Sequence, residues 1–493
     1  MSSKTFFALA IQRLNQASHL GVRIKVKAAS GTMLEIDVED IKFDIQYCPA
    51  ARVVEKWSDI HILPSDDPVF DLSVHALSKF QPYRDMAYLQ RTIPDFATFR
   101  TAYRFIRVWA KLRGIYAAKF GYLGGIHIVL MLSCLCKLYF HDASIITAAD
   151  IICTFFKHYS NFDWEIEILY DPFFFKEKPR YRRYPNESMV MLTLHSPVLN
   201  VARAVSAPSY RTIVEELKRA DRILSQDNMT WLAICGIKGS SIDSDGGAHE
   251  FLEGYNNYIK INVQYWGLSL AKGSALVGWV ESRCLRLLVD LDRKLPEIHT
   301  RIWPAKFTVK GGDVSADTHE YQGCYLIGLA RRDTSNAEPM SKEKRRQAQD
   351  SLKAAVEQFV SQTRAEEKYF DASLAWVNAT VVKQADVKDL VLDKREWGNH
   401  VVMDEVGDED DDEAEEDEDL IDPDIEEALL SAKLKADKAN KNRRQQKHSS
   451  AKLGKKLRPA SDILSRLRWD PSFESAGYII GYEDRFLGVM ECP

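Results

Sequence analysis

Hydrophobic and polar positions follow a helical period through the stretch from Phe99 to Tyr139. Four cations at spacings of four, three and four share one narrow stripe, which we call the basic seam; they are Arg100, Arg104, Arg107 and Lys111. Apolar side chains cover most of the remaining circumference, so the pattern predicts a helix packed on most sides. A buried cation is costly without an anion or water. The seam therefore indicates a phosphate-receiving groove or, as the alternative, ion pairs with core carboxylates.

A glycine-bearing turn, Gly121–Gly125, follows this helix, and a second apolar helix runs on to Tyr139. The run Arg104–Tyr116, this turn and the pair Leu138–Tyr139 resemble the central domain of eukaryotic poly(A) polymerases. The resemblance implies an α+β chain with an incomplete nucleotidyltransferase domain, a helical central domain, a ferredoxin-like (RRM-like) RNA-binding domain and a disordered charged linker.

This resemblance, the charge distribution and a second resemblance near the C-terminus, both described below, give the expected domain boundaries. We predict a C-terminal remnant of the catalytic domain at 1–60, the central domain at 61–205, the RRM-like domain at 206–400, the linker at 401–458 and a partial RNA-end recognition domain at 459–493. Within the RRM-like part we expect a strand over 257–266, a helix over 275–291 and a final strand and helix over 372–392.

Near the N-terminus, Ile41, Phe43 and Ile45 alternate with polar residues, which predicts a strand with one buried face. Asp44 lies on its polar face, and the resemblance makes it the third metal-binding, catalytic aspartate; Asp37 is the competing assignment. The family has a Gly-Ser turn and an Asp-x-Asp strand ahead of this aspartate, and neither element occurs in residues 1–43. Because one aspartate cannot hold two metal ions, we expect this chain alone to lack activity.

The resemblance also assigns nucleotide contacts and RNA contacts in the central domain. Arg107, Tyr116, Gly124 and Gly125 would bind ATP. The other seam cations would bind RNA; they are Arg100, Arg104 and Lys111. Two positions depart from the family pattern, because Ala118 and Gln81 stand where asparagine is usual.

Charge is distributed unevenly, with 17 acidic and no basic residues between Asp404 and Glu427. Such a run cannot bury a core, which predicts a disordered linker. The basic residues beyond it suggest a nuclear-import signal, or merely a block that screens the acidic run. Among them are Lys441, Arg444, Lys455, Lys456 and Arg458.

The last 33 residues resemble the opening half of the RNA cyclic-group-end recognition domain, through the runs Leu464–Pro471 and Ile480–Phe486. Arg466, Arg468 and Arg485 would bind RNA there, because planar guanidinium groups suit a terminal phosphate. The alternative is a half-domain too small to bury a core.

The resemblance to poly(A) polymerases implies a polynucleotide adenylyltransferase that adds AMP from ATP to RNA 3′ ends, with Mg²⁺ or Mn²⁺ as cofactor. A non-catalytic RNA-binding protein and an RNA-end repair nucleotidyltransferase are the alternatives. The expected partners are the RNA 3′ end, ATP, a nuclear import receptor and RNA-processing proteins. No membrane is expected, the predicted location is nuclear, and the scattered cysteines suggest no zinc site.

Overall fold

The computed structural model describes 3–16, 24–29, 33–38, 41–60, 62–64, 67–140, 146–227, 229–237, 246–309, 321–332 and 341–393. The predicted linker at 401–458 and the predicted end-recognition module at 459–493 lie outside these residues. The described chain divides into two compact units, and the first contains the residues up to Tyr88 together with His195–Pro197.

The first unit combines three helices with a small antiparallel sheet. Its helices are α1 (Ser3–Gln16), α2 (Ala51–Glu55) and α3 (Val74–Thr92, which ends in the second unit), and its strands are β1 (Ile24–Ala29), β2 (Met33–Val38) and β3 (Ile41–Gln46). The strands pair in sequence order. Phe6 and Phe7 of α1 pack with Ile45 in one apolar cluster, so the predicted buried face of β3 is confirmed.

The second unit begins with a helical part. Its helices are α4 (Phe96–Leu112), α5 (Gly125–Phe140), α6 (Ala148–Ser160), α7 (Ala207–Leu224), α8 (Trp231–Ile234) and α9 (Gly247–Glu253). Local chemistry explains where two of them start. The Asp95 carboxylate accepts the amides of Ala97 and Thr98 at the start of α4, and Thr147 and Asp150 form a capping box at α6.

A sheet with two long helices completes the second unit. The elements are β4 (Asn257–Tyr265), α10 (Leu270–Lys294), β5 (Ile298–Ile302), β6 (Phe307–Val309), β7 (Tyr321–Arg331), α11 (Lys342–Arg364), β8 (Ala375–Lys383) and β9 (Leu390–Leu392). The strand order is β8-β4-β7-β6-β9, with β5 also on β7. The four longest strands of this sheet therefore lie in the order β8-β4-β7-β5, which is the ferredoxin-like order. The predicted mixture of helices and strands is confirmed.

The end of this sheet differs from the sequence expectation at one point. After β8, a short 3-10 turn at Gln384–Asp386 and the strand β9 stand where the final helix was expected. Val387 and Leu390 are buried in the cluster around Trp303 and Phe307, and β9 pairs with β6. Burial and strand pairing here outweigh any local helical preference.

A buried ion cluster joins the helical part of the second unit to its sheet. Arg113, which follows α4, donates two hydrogen bonds of 2.8 and 2.9 Å to the Glu216 carboxylate of α7. Arg301 of β5 donates to the same carboxylate at 2.9 Å and to the Arg113 carbonyl at 2.6 Å. Burial alone would raise the pKa of Glu216, but Arg301 and Arg113 hold it below its ordinary value.

Candidate nucleotide and RNA site

The basic seam lies at the surface of the second unit. Arg104 and Lys111 are exposed, and Arg100 and Arg107 are half-buried. The opposite side of α4 is buried through Phe99, Ala102, Tyr103, Ile106, Trp109 and Ala110. The amphipathic pattern therefore gives the orientation of α4 correctly, and its four cations face outward.

Two seam cations from successive turns of α4 converge on one aromatic ring. The Arg107 Cζ lies 5.8 Å from the centroid of the Tyr116 ring, and the Lys111 Nζ lies 5.3 Å from it. Both distances are within the range of cation–π attraction. The structure thus brings together the predicted nucleotide residues Arg107 and Tyr116, and it adds Lys111, which the sequence assigned to RNA.

The turn after Tyr116 folds back beside that ring. Tyr116 pairs with Leu123 in an isolated parallel bridge, and the Leu123 amide donates to the Ile115 carbonyl at 3.1 Å. Gly121 makes the reversal with a φ of 77°, a left-handed conformation that favours glycine. The turn therefore delivers Gly124 and Gly125 to the side of the Tyr116 ring.

Gly125, the first residue of α5, lies against two tyrosine hydroxyls. A Cβ atom there would come within 3.1 Å of the Tyr103 Oη and 3.4 Å of the Tyr116 Oη. The amides in the first turn of a helix lack partners within the helix, and they carry partial positive charge. This helix start and the cations around Tyr116 make an electropositive corner suited to a phosphate.

A buried histidine, missed by the sequence reasoning, holds this turn. The Gly124 amide donates to the His127 Nδ1 at 2.6 Å, and the His127 Nε2 lies 2.8 Å from the Val201 carbonyl. Burial lowers the pKa of His127, which favours the neutral ring with its proton on Nε2. The Gly124 amide is therefore engaged by protein, and the predicted nucleotide contact at Gly124 would come from backbone proximity alone.

The two departures from the family pattern have different surroundings. Gln81 is buried in the first unit, and its amide donates to the carbonyls of His195 at 2.6 Å and Pro197 at 2.8 Å. Ala118 is exposed at the start of a short 3-10 turn. Gln81 thus holds the segment His195–Pro197 in place within the first unit. The methyl group of Ala118, in contrast, cannot form a hydrogen bond.

Asp44 lies in the first unit on β3, opposite Glu35 of β2 in the sheet register. Its side chain is half-buried and outside the cluster that contains Ile45, as the alternation predicted. Asp37 lies opposite Lys42 on the same sheet. Within the described residues, no group of three or more His, Cys, Asp or Glu side chains could hold a metal ion. The donor set does not fit the implied Mg²⁺ or Mn²⁺, so we derive no step through a metal.

The remaining predicted contacts, Arg466, Arg468 and Arg485, lie outside the described residues. None of the described helices is long and apolar enough to cross a membrane.

Two family models match parts of this chain. Residues 98–234 match the family model of the poly(A) polymerase central domain, and residues 457–493 match that of the MJ1316 RNA cyclic group end recognition domain. Both resemblances found in the sequence are thereby confirmed.

Particular relatives are eukaryotic poly(A) polymerases. Nuclear poly(A) polymerase 1 of Arabidopsis thaliana is 27% identical over 260 residues, covering 49% of this chain and 32% of the relative. The poly(A) polymerase of Dictyostelium discoideum is 26% identical over 234 residues, covering 44% of this chain and 26% of the relative. The chain thus spans about a third or less of the length of these relatives.

Among solved structures, a cytoplasmic RNA terminal U-transferase aligns with a TM-score of 0.30 and 14% identity, covering 46% of this chain and 75% of that one.

Proposed function

We propose that this chain takes part in polynucleotide adenylyl transfer, the addition of AMP from ATP to RNA 3′ ends, and that its second unit holds the nucleotide. The observation that carries the proposal is the convergence of Arg107 and Lys111 on Tyr116, beside the start of α5. The match of residues 98–234 to the poly(A) polymerase central domain supports it.

In this proposal, each group around Tyr116 has a distinct task. Arg107 presents a planar fork of donors to the triphosphate, and Lys111 adds a mobile point charge. The Tyr116 hydroxyl donates to a phosphate oxygen, and Gly125 leaves room for that oxygen next to the helix start. His127 is a positioning residue, because it fixes the turn through Gly124 without touching the nucleotide.

Arg100 and Arg104 extend the seam along α4 away from the Tyr116 ring. We assign them to the RNA strand, because cations spaced along a helix neutralise successive phosphates without selecting a base. Asp44 remains the proposed catalytic carboxylate of the first unit, where it would supply one of the several ligands that a metal needs. Because the described residues do not complete such a set, we propose that the chain alone lacks activity.

The function is tested by measuring binding and extension separately. Equilibrium binding of fluorescent ATP and of labelled oligo(A) should both be detectable, whereas extension of the oligo(A) by this chain should be absent. RNA binding without ATP binding would refute the nucleotide site and favour the non-catalytic RNA-binding protein. Extension by the chain would refute the proposed inactivity, and if that extension survived Asp44→Ala it would also refute the role of Asp44 and favour Asp37.

RNA-end repair is the second candidate, and the match of residues 457–493 favours it. In this case Arg466, Arg468 and Arg485 would grip a terminal 2′,3′-cyclic phosphate. The test compares the affinities of two RNAs that differ only in a 2′,3′-cyclic phosphate or a 3′-hydroxyl end. A preference for the cyclic end that Arg468→Ala removes would support repair, and equal affinities would refute it.

We propose a nuclear location, since similar Arabidopsis proteins are named nuclear poly(A) polymerases. An import receptor would read the basic residues around Arg443 and Arg444, and RNA-processing proteins are the other proposed partners. A fluorescent fusion should be nuclear and should become cytoplasmic when both arginines are changed to alanine; an unchanged distribution would refute this signal.

A further inference from the structure

A basic and aromatic loop in the second unit, residues 172–186, has no role in the site described above. It contains five cations and one acidic residue, which gives a net charge of +4, together with five aromatic residues. The loop contains no helix or strand. Long ordered loops of this kind are frequently functional.

The first end of the loop is fixed by a buried carboxylate. Asp171 accepts the amides of Phe173 at 2.9 Å and Phe174 at 3.1 Å, and it forms a buried ion pair with Lys137 of α5. Next to it, Leu169 bridges Met191 on the returning chain. The two ends of the loop therefore lie close together.

The second end is fixed by another buried carboxylate, that of Glu187. It accepts the Tyr181 hydroxyl at 2.6 Å, the Tyr184 amide at 2.9 Å and the Asn200 side-chain amide at 2.9 Å. Burial and this hydrogen bond raise the pKa of Tyr181. Arg183 is directed inward, since its guanidinium donates to the carbonyls of Glu165 and Glu167.

With these side chains directed inward, the other four cations are presented to solvent. Lys176, Lys178, Arg180 and Arg182 are all exposed, and Lys178 has only a weak ion pair with Glu167 at 3.8 Å between two half-exposed side chains. Phe173 and Tyr184 flank them, with 49% and 43% exposure. Cations with exposed aromatic rings are the combination by which proteins hold single-stranded nucleic acid.

We propose that the loop 172–186 binds the sugar–phosphate backbone of single-stranded RNA, as a contact additional to the basic seam. Because the loop is already ordered by Asp171 and Glu187, little entropy is lost when RNA docks. Its cations would neutralise phosphates without reading bases, so the contact is independent of sequence. The inference rests on the proposed function only in identifying this RNA as the adenylated strand.

The test compares two variants of the full chain that each lose four exposed charges. The loop variant carries Lys176→Gln, Lys178→Gln, Arg180→Gln and Arg182→Gln. The control carries Arg13→Gln, Arg52→Gln, Lys56→Gln and Arg91→Gln, which are exposed cations in or next to α1, α2 and α3, outside the predicted RNA-binding domain. Binding of fluorescein-labelled oligo(A) of about 20 nucleotides is followed by anisotropy from about 50 to about 200 mM salt.

The loop variant should bind oligo(A) about 10- to 100-fold more weakly, and the slope of log affinity against log salt should become shallower by about 3. The control should change affinity by less than about threefold, and ATP binding should be unchanged in both. Equal losses in both variants, or no loss in the loop variant, would overturn the inference.

Two further outcomes separate this inference from its alternatives. Unchanged RNA affinity combined with lost binding of a synthetic peptide of residues 404–427 would overturn it and assign the loop to the acidic stretch. If the unmodified chain binds ATP but no oligo(A), the loop inference fails while the nucleotide site stands.

Discussion

At the scale of single residues, Gly125 tests whether the space beside Tyr116 matters. In Gly125→Ala the new methyl group would crowd the Tyr103 and Tyr116 hydroxyls, which lie 3.1 and 3.4 Å from its position. We expect ATP affinity to fall about 3- to 10-fold, the loss of about one hydrogen bond, with no loss of thermal stability.

The matched control is Gly278→Ala in α10, where an added Cβ meets nothing within 4 Å. Alanine should stabilise that helix by about 0.5–1 kcal/mol and leave ATP binding unchanged. If Gly125→Ala binds ATP as tightly as Gly278→Ala does, the space beside Tyr116 is not a nucleotide site.

The sequence predicted the parts of this site that depend on neighbouring residues, but not the parts that depend on contacts between distant residues. The 3.6-residue period identifies the basic seam, and the glycines identify the turn, because both are local signals. His127 was missed because its partner Val201 lies 74 residues away. The one local signal that could have found it is the position of His127 in the sequence, three residues after Gly124 and in the first turn of the apolar helix that follows.

At the scale of secondary-structure elements, the carboxylate of Glu216 on α7 holds α4 and β5 together. Glu216→Gln leaves the buried guanidinium groups of Arg113 and Arg301 without their shared negative charge. We expect a loss of about 3–5 kcal/mol in the free energy of unfolding, measured by chemical denaturation.

Glu215→Gln is the matched control, because Glu215 is next to Glu216 in the chain but its side chain is 63% exposed. This substitution should lower the free energy of unfolding by less than about 1 kcal/mol. Similar losses in the two variants would mean that the buried cluster does not hold these elements.

Most elements were predictable, but their junctions were not. Alternation along β3 and amphipathicity along α4 are written in neighbouring residues, so both were found. The ion cluster joins Arg113 to Arg301, 188 positions apart, and no local pattern specifies that pairing. The resemblance of 372–392 to the family's final strand and helix led us to expect a helix at β9, and the long-range pairing of β9 with β6 has no local signal that could have corrected this.

At the scale of the whole molecule, a buried histidine should make stability depend on pH. His299 on β5 is 7% exposed, with its Nε2 3.3 Å from the Thr212 hydroxyl and 3.8 Å from the Glu215 carboxylate. Burial, Arg211, Arg301 and Arg332 lower the pKa of His299 to about 4. The unfolded chain, with an ordinary histidine pKa near 6.5, therefore binds more protons between these values.

Stability from this residue is thus fully present above pH 6.5 and is lost as the pH falls toward 4. When the pH is lowered from 7 to 5, the free energy of unfolding measured in urea should fall by about 2 kcal/mol more for the unmodified chain than for His299→Gln. His249→Gln, at a site where the side chain is 75% exposed, should retain the full dependence. An identical pH profile for the chain and for His299→Gln would contradict this assignment.

The central claim is that the cations around Tyr116 receive the triphosphate of ATP, and equilibrium ATP binding tests it most directly. Arg107→Ala should weaken ATP binding about 10- to 100-fold, because a charge-assisted contact to phosphate is worth about 1.5–3 kcal/mol. Arg222→Ala removes the same charge from an exposed position on α7 and should change affinity by less than about twofold. Equal affinities for the two variants would contradict the account.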